Sequence, residues 1–240
     1  MNSDPRAIWD AEAATFDDEP DHGLRDADTR AAWDGLLVEL LGVPDGPSRA
    51  ADLGCGTGSL ALLLAGHGHH VQGVDVSPAM LERAVAKSLA AGLPTPGGSV
   101  SVPARPTGPD ALSRPPGHLN PIRSCPENRR RVAPVQFDVG DVSAPALPTD
   151  AFDVVLARHV VWALPDARAS LGRWTDLLVP GGRMLLVEGF WSTQAGLHQA
   201  ELIDLLDPRL SILETRCLDD PHLWGKPVDD ERYAVLAERR

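Results

Sequence analysis

Three glycines and three aspartates stand where ligand chemistry is easily built. Gly54, Gly56 and Gly58 alternate in the run Ala51-Asp52-Leu53-Gly54-Cys55-Gly56-Thr57-Gly58. Glycines in a tight turn let backbone N–H groups come close to a ligand, and a helix starting after the turn favours a negative group such as a carboxylate. Asp52 precedes the turn, where a carboxylate suits an ammonium and repels a pyrophosphate. A dinucleotide fingerprint needs GxGxxG, but position 59 is Ser. Asp75, 17 positions beyond Gly58, can accept both hydroxyl hydrogen bonds of a ribose, as in any adenosine site. Asp141, in Gly140-Asp141-Val142, can accept from an adenine amino group, although an Asp after a strand is more often a turn or cap residue. An ammonium, a carboxylate, an adenosine and no phosphate together describe S-adenosylmethionine.

These residues need elements to hold them. Ala50–Leu53 reads as a short buried strand, Ser59–Ala65 as a small apolar helix and Val71–Val76 as the next strand. Ser77 caps a helix with Pro78 at its first position, where proline's missing N–H costs nothing. That helix runs to about Ala91 and stops at Gly92. Val135–Asp138 and Phe152–Ala157 read as strands, Asp166–Leu178 as a helix, Pro180-Gly181-Gly182 as a turn and Arg183–Val187 as a fifth strand. Leu197–Leu206 is a last helix, and Ser211–Arg216 and Arg232–Ala237 are two closing strands. Upstream, residues 28–41 form a helix capped by Asp28, with Trp33, Leu36, Leu37, Leu40 and Leu41 on one face. Alternating strands and helices predict an α/β fold, a parallel sheet covered on both faces.

One segment breaks the rhythm. Residues 93–134 hold ten of the 22 prolines, six arginines and two acidic residues, without periodicity. We read them as a mobile insertion with no catalytic part. It links a helix end to a strand start, whereas ligands in open α/β sheets bind beyond the strands' carboxyl ends.

Composition narrows the class. The chain of 240 residues is 43% hydrophobic, enough for one substantial core, and its formal net charge is −12. That charge repels phosphate backbones and disfavours a nucleic-acid partner. No segment approaches the roughly 20 apolar residues of a membrane helix, and the N-terminus shows no secretory pattern. Cys55, Cys125 and Cys217 form no CxxC pair, so free thiols and a cytoplasmic location are expected.

The ordered series now resembles a known family. The first block, Gly-Val-Asp-Val-Ser-Pro-Ala-Met-Leu, Gly-Asp-Val, Ala-Phe-Asp-Val-Val-Leu-Ala-Arg-His and Leu-Val-Pro-Gly-Gly-Arg-Met-Leu-Leu-Val-Glu are similar to the motifs of class I, Rossmann-like small-molecule methyltransferases. The resemblance covers roughly residues 30–91 and 135–240. It implies a single domain with a doubly wound, seven-stranded sheet, helices on both faces and the last strand antiparallel. By motif match it places Asp52, Gly54, Cys55, Gly56 and Gly58 at the methionine end of S-adenosylmethionine, Asp75 at the ribose, Val76 and Met80 beside the adenosine, and Asp141 and Val142 around the adenine. The implied reaction moves a methyl group to an O, N or C nucleophile of a small-molecule acceptor. Residues 1–27 would be a lid and 28–240 the methyltransferase domain.

The acceptor side is harder to read, because a sulfonium methyl is already activated and alignment does most of the work. Arg158-His159-Val160-Val161-Trp162 follows the fourth strand. There His159 is a candidate general base, Arg158 a partner for an acid or the cofactor carboxylate, and Trp162 a wall. Trp9, Phe16 and His22 belong to the lid segment, where aromatic faces attract a sulfonium. Trp191 and the 221–224 stretch are placed near the pocket by position alone. His67, His69 and His70 look metal-like but sit on the remote edge, so a solvated turn is expected, and no metal. His118, His198 and His222 show no ligand spacing.

The competing readings are a protein-directed methyltransferase, a non-catalytic cofactor-binding protein and an NAD-dependent oxidoreductase. The last lacks a Tyr-x-x-x-Lys pair, since the single tyrosine is Tyr233. A monomer or homodimer is expected.

Overall fold

The structure is a computed structural model that describes residues 4–94 and 132–240. The expected insertion, except for its ends, lies outside the described residues, as do His118 and Cys125. Its ends meet at the amino-terminal edge of the sheet: Val135 N donates to Pro94 O at 3.0 Å and Val71 N to Pro134 O at 3.0 Å.

Seven strands form one sheet: β1 (Ser48–Leu53), β2 (His69–Asp75), β3 (Val135–Val139), β4 (Phe152–Arg158), β5 (Leu178–Phe190), β6 (Leu210–Cys217) and β7 (Glu231–Arg239). Their order is β3-β2-β1-β4-β5-β7-β6. β1 to β5 pair in parallel, and β7 runs antiparallel to both β5 and β6. The order reverses between β1 and β4, which opens a crevice at their carboxyl ends.

Among the described residues, eight α-helices accompany the sheet: α1 (Pro5–Glu12), α2 (Pro20–Gly23), α3 (Ala27–Leu41), α4 (Ser59–Gly66), α5 (Pro78–Ala90), α6 (Ala167–Leu177), α7 (Gln199–Leu205) and α8 (Pro221–Trp224). Alternation along the central strands splits the core. Ala50, Val154 and Leu156 face α3, α4 and α8; Ala51, Leu53, Val155 and Ala157 face α6 and α7. Trp33 on the first side is fully buried, and its Nε1 donates to Leu223 O at 2.7 Å, tying α3 to α8.

Three local expectations change. The cap of α3 is Asp26, whose carboxylate accepts from Asp28 N and Thr29 N; Asp28 lies inside the first turn. Pro180-Gly181-Gly182 is a bulge within one long strand, since the β4 register jumps from Phe152↔Leu178 to Val154↔Arg183. Gly181 has φ +78°, and a Cβ on Gly182 would come 2.8 Å from Val179 O. The histidine cluster is a solvated turn only in part: His70 is exposed, but His69 is buried in β2 against Ser48 Oγ at 2.8 Å, and His67, in the turn, bonds Asp34 at 2.7 Å. These last two rings hold neighbouring elements together.

No helix among the described residues is long and apolar enough to cross a membrane.

Candidate active site

At the carboxyl edge a cavity of about 840 Å³ opens over β1, β2 and β4, roofed by the N-terminal segment. Its floor is the glycine loop. Gly54 N and Cys55 N both donate to Val74 O, at 2.8 and 3.1 Å, which stitches the loop to β2. Gly54, Gly56 and Gly58 all have positive φ, between 52° and 77°. Gly54 and Gly56 line the cavity, but Gly58 does not. A Cβ there would lie 2.9 Å from the Phe137 ring and 3.0 Å from Ala84, so its freedom serves packing of the loop on α5 and β3. Cys55 is buried, and burial pushes its thiol well above the usual range.

Asp75 is aimed by backbone donors: Gly56 N reaches one carboxylate oxygen at 2.8 Å and Ser77 N the other at 2.9 Å. Burial raises its pKa, and these bonds oppose the rise. Asp52 is fully buried; burial lifts its carboxyl to about 7 despite the nearby Arg158 guanidinium. Asp141 is exposed, lines the cavity and accepts from Ser143 N at 2.8 Å, so it is both turn residue and wall. Val76, Met80 and Val142 line the same side.

The roof is locked down by polar contacts. The Asp10 carboxylate on α1 accepts from Ser77 Oγ at 2.6 Å and Ala79 N at 3.2 Å, at the start of α5. Asp17 accepts from Thr57 Oγ1 at 2.5 Å and from Lys87 Nζ at 3.2 Å. Trp9 meets Phe16 edge to face, and Phe16 stacks on the His22 ring with centroids 4.2 Å apart. His22 Nδ1 lies 3.2 Å from Phe16 O. A carbonyl only accepts, so Nδ1 carries the proton and Nε2 keeps its lone pair. Burial lowers the pKa of this ring, opposed by Asp21.

The turn after β4 forms the far wall. Arg158 donates to Asp21 O at 2.6 Å, lies 4.0 Å from the Asp21 carboxylate and covers the Trp33 ring at 4.9 Å. His159 adopts φ +59°, stacks on Trp224 and meets Trp191 edge-on at 5.1 Å. Burial drives its pKa well below the usual value, and its Nε2 is buried without a partner. Glu188 holds this turn from below: one carboxyl oxygen accepts from Val160 N at 2.8 Å and Val161 N at 2.6 Å. Trp162 donates its indole N–H to His159 O.

Donor atoms of Asp21, His22 and His159 lie within 4.8 Å of one another, a convergence that the sequence spacing did not indicate. The positive charge beside that carboxylate is supplied by Arg158. Trp9, Phe16, His22, Arg158, His159, Trp162 and Trp191 all line the cavity. The sequence reading missed Asp21, which adjoins His22, and Lys87, whose link to the cavity depends on contacts 70 residues away.

A family model described as a methyltransferase domain matches residues 25–222. A trans-aconitate 2-methyltransferase of Streptomyces coelicolor is 30% identical over 198 residues, which are 81% of this chain and 52% of that protein. An 18S rRNA (guanine-N(7))-methyltransferase of Bos taurus is 44% identical over 59 residues, 24% of this chain and 21% of that one. The chain thus spans about half the length of these curated relatives or less. The crystal structure of the N-methyltransferase NodS from Bradyrhizobium japonicum, in complex with S-adenosyl-L-homocysteine, superposes with TM-score 0.63 over 99% of each chain at 16% identity, a likeness of fold.

Proposed function

The chain belongs to the class I methyltransferase-domain family, and from that premise we propose that it moves a methyl group from S-adenosylmethionine to a nucleophile on a small-molecule acceptor. The observation that carries the reading is Asp75. Its carboxylate faces the cavity from the end of β2, fixed by Gly56 N and Ser77 N, with lone pairs left for ribose hydroxyls. The rest of the cavity fits the same cofactor. Asp52 and the glycine loop suit the amino-acid end, Cys55 packs beneath it, Val76 and Met80 flank the adenosine, and Asp141 and Val142 the adenine. The carboxyl groups of Asp52, Asp75 and Asp141 disfavour a dinucleotide's phosphates, and the lining cations Arg158, Lys226 and Arg232 are already paired with acids.

When bound, S-adenosylmethionine supplies a methyl group activated by its sulfonium charge. The protein's part is to align the acceptor, exclude water and take a proton where the nucleophile carries one. Residues 4–27 act as the lid: α1 and α2 cover the loop, and Phe16 lies 3.4 Å from where a Cβ on Gly56 would sit. Arg158 positions Asp21 in that lid. His159 is a candidate proton acceptor, its Nε2 free of other bonds. The net charge of −12 supports a small molecule over nucleic acid. Cys55 and Cys217, the cysteines among the described residues, are free thiols, in keeping with the cytoplasmic setting we propose, and a monomer or homodimer completes the reading.

Calorimetric titration with S-adenosylmethionine and separately with NAD tests this. S-adenosylmethionine alone should bind, and Asp75→Ala should weaken it by roughly tenfold or more, the loss of charge-assisted hydrogen bonds. Preference for NAD, or an unchanged affinity in Asp75→Ala, would overturn the reading.

A further inference from the structure

The wall opposite the glycine loop is aromatic. Trp162 and Trp191 cross edge to face with centroids 5.6 Å apart, and both line the cavity. Trp162 keeps 38% of its surface exposed. Its N–H is spent on His159 O, so the indole offers a ring face and no donor. Such a wall holds a planar ring by offset or edge contacts.

Charge points the same way. Among the described residues, three basic side chains line the cavity, and each is already matched by an acid. Arg158 stands 4.0 Å from Asp21, Lys226 3.4 Å from Glu19 and Arg232 2.7 Å from Asp230. Asp52, Asp75 and Asp141 add carboxyl groups to the lining, none of which can partner an anion. A carboxylate-bearing acceptor would have to break one of these pairs or enter unpaired. An uncharged ring meets neither cost.

His22 completes the site in place of His159, whose ring is packed against Trp191 and Trp224 with its Nε2 buried. Its Nδ1–H is committed to Phe16 O, so Nε2 presents a lone pair in the cavity, 3.7 Å from Asp21 Oδ2. A base oriented by one bond and backed by a carboxylate is arranged to accept a proton and stabilise the cation that results.

Resting on the methyl-transfer reading above, we propose that the acceptor is an uncharged aromatic ring bearing a hydroxyl, seated against Trp162 and Trp191, and that His22 Nε2 takes the hydroxyl proton. The O–CH3 bond forms as the S–CH3 bond breaks, and the bonding electron pair leaves with sulfur. The O–H proton passes to His22 and then to solvent.

Calorimetry with 2-naphthol, 2-methoxynaphthalene and citrate tests the proposal on the full chain without turnover. Wild type should bind 2-naphthol at least roughly tenfold more tightly than citrate. Trp191→Ala should weaken 2-naphthol by roughly three- to tenfold, the worth of an aromatic pair. Trp162→Leu, on the rim, should do the same should Trp191→Ala fail to fold. The preference for 2-naphthol over its methyl ether should be roughly three- to tenfold in wild type and vanish in His22→Leu, the loss of one hydrogen bond. Tighter binding of citrate, no heat with 2-naphthol, or a preference that survives in His22→Leu would overturn the proposal. A parallel S-adenosylmethionine titration separates the two readings. Naphthol binding without cofactor binding would sink methyl transfer and keep the aromatic site; cofactor binding with citrate preferred would do the reverse.

Discussion

The ammonium of Lys87 lies 3.2 Å from both carboxylate oxygens of Asp17, so a residue of α5 holds the N-terminal segment from 70 positions away in sequence. The same ammonium donates to Thr57 Oγ1 at 3.0 Å and Ser59 Oγ at 2.8 Å, and Thr57 in turn donates to Asp17. The N-terminal segment, the glycine loop and α5 therefore share one cation. Burial lowers the Lys87 pKa and Asp17 opposes the fall, as expected of a charge kept inside by its partner.

Removing that cation should loosen the lid. Lys87→Met leaves the buried Asp17 with Thr57 as its remaining partner, a loss on the order of 3 kcal/mol for breaking a buried pair. S-adenosylmethionine affinity should fall by roughly tenfold, and limited proteolysis should cut within residues 4–27 sooner. The pair Lys87→Met with Asp17→Asn removes both charges and should recover part of the stability. Unchanged cofactor affinity in Lys87→Met would show that the contact does not control the lid.

Glu188 makes a prediction about pH. Burial raises its carboxyl from 4.5 to about 8, so the folded protein keeps a proton that the unfolded chain loses. The folded state binds more protons across that interval, so stability must fall as pH rises from about 4.5 to about 8, then level off. Asp52, lifted from 3.8 to about 7, works in the same direction, so wild type alone does not isolate Glu188. Glu188→Gln keeps an acceptor for Val160 N and Val161 N but cannot ionise. Its melting temperature should fall less steeply than that of wild type over this pH window. Glu188→Leu removes the acceptor and should lower stability and turnover together, since the turn carrying His159 loses two bonds. Parallel slopes for wild type and Glu188→Gln would refute the assignment.

The parts of the site that were legible in the sequence are those written locally. The glycine run, Asp52, Asp75 and Asp141 lie at strand ends that apolar runs mark, and Ser77-Pro78 announces its helix. α1, α2 and α8 also begin on proline, at Pro5, Pro20 and Pro221, but span only 8, 4 and 4 residues, too few for an apolar pattern to mark them in the sequence. Glycine at position 58 looked like ligand chemistry because it shares the run, yet its neighbours are Phe137 and Ala84. Asp21, Lys87 and Trp224 acquire roles through contacts far apart in the chain, such as the 137 residues between Arg158 and Asp21. Spacing within a motif carries no trace of such pairs.

Gly54 is the loop glycine at which a side chain would meet its neighbour most closely, on a backbone that already disfavours one. Its φ is +73°, and a Cβ would come 2.4 Å from a methyl of Val160. Gly54→Ala should therefore cost about 2 kcal/mol or more, from left-handed strain plus the clash. Val160 belongs to the turn that Glu188 holds, so a retreat of its backbone would also displace His159. S-adenosylmethionine affinity should fall along with stability, because Gly54 N and Cys55 N anchor the loop to Val74 O. Val160→Ala in the same chain removes the clash but not the φ strain, so urea unfolding should show partial recovery. A double variant no more stable than Gly54→Ala would mean that backbone strain alone sets the cost. A fully restored one would mean that glycine serves there only to admit Val160.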